Sequence, residues 1–125
     1  LHDYVAEKVK NAGIDLSRFH ILSPQSYLKF GYLESQAAGI ITDSGNVAEE
    51  ATFLGIPCIT INDYVEHPET VNEGTNVMVG LDMQALAKAL DTLRIGDWKQ
   101  GALPERWDGR TAERIIQILE EIDSK

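Results

Sequence analysis

The sequence predicts an α/β chain in which a parallel sheet carries helices on both faces. Residues 39–55, GIITDSGNVAEEATFLG, turn from an apolar run into helical spacing across Asp43-Ser44-Gly45, with Val47, Ala51 and Leu54 on one stripe; this reads strand, tight turn, helix. Residues 56–61, IPCITI, are apolar without alternation, as a strand covered on both faces requires. Strand-like and helical stretches then alternate along the chain, the order of a parallel sheet. In such open sheets, ligands lie beyond the carboxyl ends of the strands.

The elements follow in order. Asp3 can cap a helix to about Asn11, with Val5, Val9 and Ala12 on one face and Gly13 at its end. Phe19-His20-Ile21-Leu22 is a short candidate strand, closed by Ser23-Pro24. Over residues 26–38, Tyr27, Leu28, Phe30, Leu33 and Ala37 trace a helical stripe, whose aromatic members most simply belong to a core. After the opening motif and the 56–61 strand comes a polar loop, NDYVEHPE, and Pro68 can open a short helix stopped by Gly74. Residues 76–79 are a further strand, and Asp82 can cap a helix over 83–93. Residues 95–109, which hold both tryptophans, carry no regular pattern. A last amphipathic helix spans 111–122, with Ala112, Ile115, Ile116, Leu119 and Ile122 at 3, 4, 7 spacing and Asp108 as a possible cap.

The 125 residues suit one domain. The chain starts at Leu1, without a methionine, which leads us to expect a fragment. A net charge of −9 with no cluster of Lys or Arg speaks against nucleic acid as a partner. No apolar run reaches the length of a membrane span and no signal-peptide pattern opens the chain. The single cysteine, Cys58, excludes an internal disulfide and lies within an apolar strand, where a small buried residue is expected.

The chemistry is expected at three turns on the ligand edge: residues 23–26, 43–46 and 62–68. Ser44 and Gly45 at a helix start offer N–H and O–H donors suited to an anion such as phosphate. Glu50 lies about one and a half turns further on, and a carboxylate there suits a ribose diol better than a phosphate. Glu49 and Glu50 cannot both face one ligand. An ordinary capped helix with acidic residues near its start would have the same sequence. In the loop, Asp63, Glu66, His67 and Glu69 lack metal-ligand spacing, so His67 is a candidate phosphate or sugar contact or simply solvated. No glycine stands two residues before or after Ser44, so the serine-hydrolase elbow is absent. Arg106 and Arg110 near the last helix could close on an anion.

With these residues in view, the chain resembles the C-terminal half of the non-hydrolysing UDP-N-acetylglucosamine 2-epimerases. The resemblance is carried by Thr42-Asp43-Ser44-Gly45 with Glu49-Glu50, by Leu54-Gly55-x-Pro57, by Glu66-x-Pro68-Glu69 followed by Gly74 and Asn76, by Val79-Gly80, and by Asp108-Gly109 with Arg114-Ile115. It covers nearly the whole chain. The resemblance implies a Rossmann-like domain, the C-terminal half of a two-domain GT-B-type fold that holds a nucleotide sugar between its domains.

It further implies that Ser44, Gly45 and Asn46 meet the UDP diphosphate, that Glu50 holds the ribose hydroxyls, and that Gln25 and Phe30 lie around the uracil. The implied reaction interconverts UDP-GlcNAc and UDP-ManNAc by C2 proton abstraction, elimination of UDP and readdition, without a cofactor or a metal. The proton-transferring groups belong to an N-terminal domain this sequence lacks, so no catalytic residue is assigned here and the segment alone is expected to be inactive. The full-length enzyme is expected to be a cytoplasmic homodimer. Two sheet strands of the family are also unmatched, and in the family's order they would separate residues 19–22 from 39–42. Two positions depart from the family: His67 stands where it usually has arginine, and Asn46 where it usually has glycine. They leave the sugar open, and hydrolysing or not. A donor domain of a GT-B glycosyltransferase and a non-catalytic nucleotide-sugar binding module remain the alternatives.

Overall fold

A computed structural model describes residues 3–124. The chain forms two compact units, one ending at Leu33 and the other beginning at Glu34, with the division inside a helix.

The first unit holds α1 (Asp3–Asn11) and most of α2 (Tyr27–Gln36). Between them residues 19–26 form no strand, correcting the expectation for Phe19-His20-Ile21-Leu22. Phe19, Ile21 and Leu22 are exposed. A strand exists by pairing its N–H and C=O groups with a neighbour, and among the described residues no strand pairs with this run. The aromatic stripe of α2 is not core either: Tyr27 and Tyr32 are about 73% and 66% exposed.

The second unit carries the sheet. Three strands, β1 (Ile40–Thr42), β2 (Cys58–Thr60) and β3 (Asn76–Met78), lie parallel in the order β1-β2-β3. Their register aligns Ile40 with Cys58 and Cys58 with Asn76. Alternation along each strand therefore sends Ile40, Cys58 and Asn76 to one face and Ile41, Ile59 and Val77 to the other.

The first face receives α3 (Gly45–Leu54), whose Ala48 and Ala51 pack with Cys58 and Ile40 as the buried core. Small side chains on both partners let the helix approach closely, and burial pushes the Cys58 thiol up to about 11, as an inert core residue. Helix α3 ends at Gly55, whose φ of 70° lets its N–H reach back to Ala51 and Thr52 carbonyls. The other face receives α5 (Met83–Ile95), whose Ala85 and Ala89 share a cleft with Val77, while Leu93 packs against Gly39 at the start of β1. Asp82 caps α5, accepting from the Gln84 and Ala85 N–H groups at 2.8 and 3.1 Å.

The short α4 (Pro68–Asn72) precedes β3, and α6 (Thr111–Asp123) closes the chain. Asp108 does not cap α6. Arg110 occupies that position, and Asp108 instead pairs with Arg114, which holds the Asp108 carboxyl down at about 2. The irregular 95–109 stretch is tied to the sheet by Trp98, whose indole N–H donates to the Thr75 carbonyl at 2.8 Å, and by Ala102, whose N–H donates to Glu73 at 2.7 Å. Ile115, Ile116, Leu119 and Ile122 of α6 are all more than half exposed.

Candidate functional site

Two of the three expected turns come together at the carboxyl edge of the sheet. Residues 43–46 follow β1 and residues 61–67 follow β2, and β1 and β2 are neighbours. The Asn62 side-chain amide donates to the Asp43 carbonyl, which ties the two turns directly. The third expected turn, 23–26, belongs to the first unit and follows no strand.

The 43–46 turn is built around Ser44. Its backbone is extended (φ −95°, ψ 126°), its N–H donates to Thr42 Oγ1 at 3.0 Å, and its hydroxyl oxygen accepts from the Val47 N–H. With Val47 and Ala48 bonded back to Ser44, the Gly45 and Asn46 N–H groups head the helix without an intrahelical acceptor. They point at the space beyond β1, where the helix dipole favours negative charge. Asn46 is exposed in the first turn of the helix.

Glu66 already supplies such a charge. Its side chain lies over Gly45, so that a β-carbon there would sit 3.3 Å from Glu66 Cβ and collide with its carboxylate. Between the helix start and the 62–67 loop only about 10 Å³ of free cavity remains, bordered by Gly45, Asn62, Glu66 and His67. This is space for one water at most.

The loop is held from below by a buried polar chain. Thr60 donates to Asn76 Oδ1 at 2.6 Å, Asn76 donates to Thr70 Oγ1 at 3.2 Å, and Thr70 donates to the His67 carbonyl at 2.8 Å. Thr60, Asn76 and Thr70 are all buried, and this chain fixes the backbone from which His67 projects. The imidazole Nδ1 lies 3.4 Å from Glu49 Oε1 and 3.9 Å from Glu69 Oε1.

Glu49 and Glu50 therefore diverge, as their adjacency on a helix demands. Glu49 turns to His67. Glu50 turns to Glu34, whose carboxyl group it helps push above the ordinary carboxylate range. Glu34 is only 4% exposed, and burial first, then Glu50, pushes it up to about 7. Composition and spacing did not single out this residue, although one signal was present: Glu34 follows Phe30 by four and precedes Ala37 by three, a carboxylate on an apolar stripe.

Gln25 and Phe30 lie in the first unit. The Gln25 amide donates to the Ser23 carbonyl at 2.7 Å and borders an apolar groove with Leu28 and Tyr32, while Phe30 is 39% exposed. The two arginines near α6 are engaged locally rather than aimed at an anion: Arg106 pairs with Glu105 and Arg110 with Glu113. Among the described residues no three His, Cys, Asp or Glu side chains converge to hold a metal ion, and no helix is long and apolar enough to cross a membrane.

The sequence profile of the UDP-N-acetylglucosamine 2-epimerases matches residues 1–120. A relative of that name from Methanocaldococcus jannaschii is 41% identical over 82% of this chain and 27% of its own length. One from Escherichia coli K12 is 35% identical over 79% of this chain and 27% of its own. Among solved structures, the M. jannaschii UDP-GlcNAc 2-epimerase in complex with UDP-GlcNAc and UDP superposes with a TM-score of 0.71 at 38% identity, covering 94% of this chain and 31% of that one. The Neisseria meningitidis UDP-GlcNAc 2-epimerase bound to UDP-GlcNAc gives 0.79 at 28% identity, covering 97% and 34%. The chain thus spans about three-tenths of the length of these relatives. With its parallel sheet, its 43–46 turn and its 62–67 loop all in one matched segment, the chain belongs to the UDP-N-acetylglucosamine 2-epimerase family.

Proposed function

We propose that this chain is the nucleotide-sugar-binding C-terminal domain of an enzyme that interconverts UDP-GlcNAc and UDP-ManNAc. The observation that carries the proposal is the start of α3, where the Gly45 and Asn46 N–H groups and the Ser44 hydroxyl face the carboxyl edge of the sheet beside the 62–67 loop. A diphosphate placed there meets donors and the positive end of the helix dipole. Glu50, further along the same helix, accepts from the ribose hydroxyls.

The reaction removes the C2 proton, expels UDP and returns UDP and the proton with C2 inverted. As the bond from C1 to the diphosphate oxygen breaks, negative charge grows on that oxygen. Fixed N–H donors at α3 stabilise this charge more than that of the bound substrate, which is the requirement for catalysis. The residues named here hold UDP throughout; the groups that move the proton lie in an N-terminal domain. The full-length enzyme works as a cytoplasmic homodimer supplying cell-envelope polysaccharide synthesis, and residues 1–125 alone do not turn over.

Calorimetry of UDP, UDP-GlcNAc and ADP against the full-length protein tests the reading. Both uridine ligands bind and ADP binds far more weakly. Equal affinity for all three, or no binding of any, removes the uridine assignment.

A further inference from the structure

Glu34 and Glu50 pose a question of proton ownership. Two carboxyl groups hydrogen bond to each other only while one keeps its proton, because two carboxylates have four acceptors and no donor. Glu34 is 96% buried by its 4% exposure and its Oε1 has no hydrogen-bond partner, whereas Glu50 is half-buried. Charge is costlier on the more buried group. Among the described residues, the ionisable groups that act on Glu34 are Glu50 from α3 and the Cys58 thiol from β2, and neither is a cation. Residues 40–42 of β1 bring no ionisable side chain. The proton therefore stays on Glu34.

We propose that Glu34 is a positioning residue: it donates its proton to one oxygen of Glu50 and so aims the other oxygen at the two hydroxyls of the ligand's ribose. This rests on the reading of Glu50 as the ribose acceptor. No proton is transferred during binding. When Glu34 ionises, the donor is lost and two like charges face each other, so Glu50 loses its orientation. The buried carboxyl is held near about 7, which places the loss of grip at and above neutral pH. A side chain that donates but cannot ionise would keep the grip at every pH.

The test is calorimetry of UDP-GlcNAc with the full-length protein at about pH 6 and about pH 8.5, a span that brackets the Glu34 titration. UDP-GlcNAc is used because its diphosphate, esterified at both ends, does not titrate there. The wild type should weaken by roughly ten- to a hundredfold between the two, the factor carried by one hydrogen bond to a charged group. Glu34→Gln should lose less affinity than the wild type between the two, and Glu34→Leu, checked by circular dichroism for folding, should be weak at both. For the 2′-deoxyribose analogue of the ligand, the wild type and Glu34→Gln should share one pH profile.

The outcomes separate the two layers of the argument. If Glu50→Ala binds as tightly as the wild type, the ribose reading fails and the positioning role with it. If Glu50→Ala is weakened but Glu34→Gln keeps the wild-type pH profile, the positioning role alone is overturned. Equal affinity of Glu34→Leu and Glu34→Gln would overturn it too, since only the amide can donate.

Discussion

The carboxylate of Glu66 lies over Gly45, with Glu66 Cδ 3.2 Å from where a β-carbon at Gly45 would stand. An internal anion thus occupies the positive end of α3, the place assigned above to a ligand diphosphate. The side chain complements the helix dipole in the free protein and must withdraw before the ligand enters. Glu66→Gln should therefore bind UDP-GlcNAc tighter by about 0.5–1 kcal/mol and lose a similar amount of stability, the usual scale of a charge at a helix terminus. Calorimetry and urea denaturation measure the two. Weaker binding in Glu66→Gln would mean that Glu66 itself holds the ligand.

His67 stands where the family resemblance implies arginine. Its imidazole lies between the Glu49 and Glu69 carboxylates, at 3.4 and 3.9 Å. A guanidinium in the same place is permanently charged and binds phosphate oxygens through two N–H groups at once. His67→Arg should tighten UDP-GlcNAc binding at about pH 8 by roughly 1 kcal/mol, less than the ~1.5–3 kcal/mol of an uncontested charged hydrogen bond because the two carboxylates compete. Titration of both proteins under identical salt decides it. A loss of affinity would show that the site is shaped for imidazole.

The loop that presents His67 depends on buried hydroxyls. Thr70 is fully buried; its Oγ1 donates to the His67 carbonyl and accepts from the Asn76 amide. Thr70→Val keeps the shape and strands both partners. The expected cost is about 1–3 kcal/mol, the desolvation penalty of unsatisfied buried groups. Urea unfolding reads the cost directly, and a change below ~0.5 kcal/mol would mean that water or a shifted side chain takes over the bonds.

Much of this frame was legible in the sequence. Asp43-Ser44-Gly45 announced a helix start after an apolar run, and α3 begins at Gly45 with Ser44 as its cap. Asp82 announced α5, and Pro68 and Gly74 bracketed α4. Such signals are local: a cap or a turn is decided by a few adjacent residues. Residues 19–22 misled for the opposite reason, since β-propensity does not say whether a partner strand stands alongside. The same limit hid the site's second layer. Thr60, Asn76 and Thr70 look like unremarkable polar residues until parallel pairing of β2 with β3 places Thr60 and Asn76 within bonding distance. Glu34 and Glu50 are sixteen positions apart, and only the folded chain makes them a pair.

That pair also predicts how stability varies with pH. Glu34 titrates near 4.5 in an unfolded chain and is raised to about 7 in the folded one, with burial the main cause and Glu50 the second. Between those values the folded state keeps a proton that the unfolded state has released. Stability is then greatest below the unfolded value and falls as pH rises, because each step upward favours the state that binds fewer protons. The loss is complete once pH passes the folded value, and it amounts to about 2–4 kcal/mol at ~1.4 kcal/mol per pH unit. Glu34→Gln cannot ionise and should remove this slope. Urea denaturation at about pH 5 and about pH 8 should find the variant close to the wild type at the lower pH and more stable at the higher one. If the two proteins lose stability in parallel over that range, the slope arises elsewhere and Glu34 is not the buried acid the structure shows.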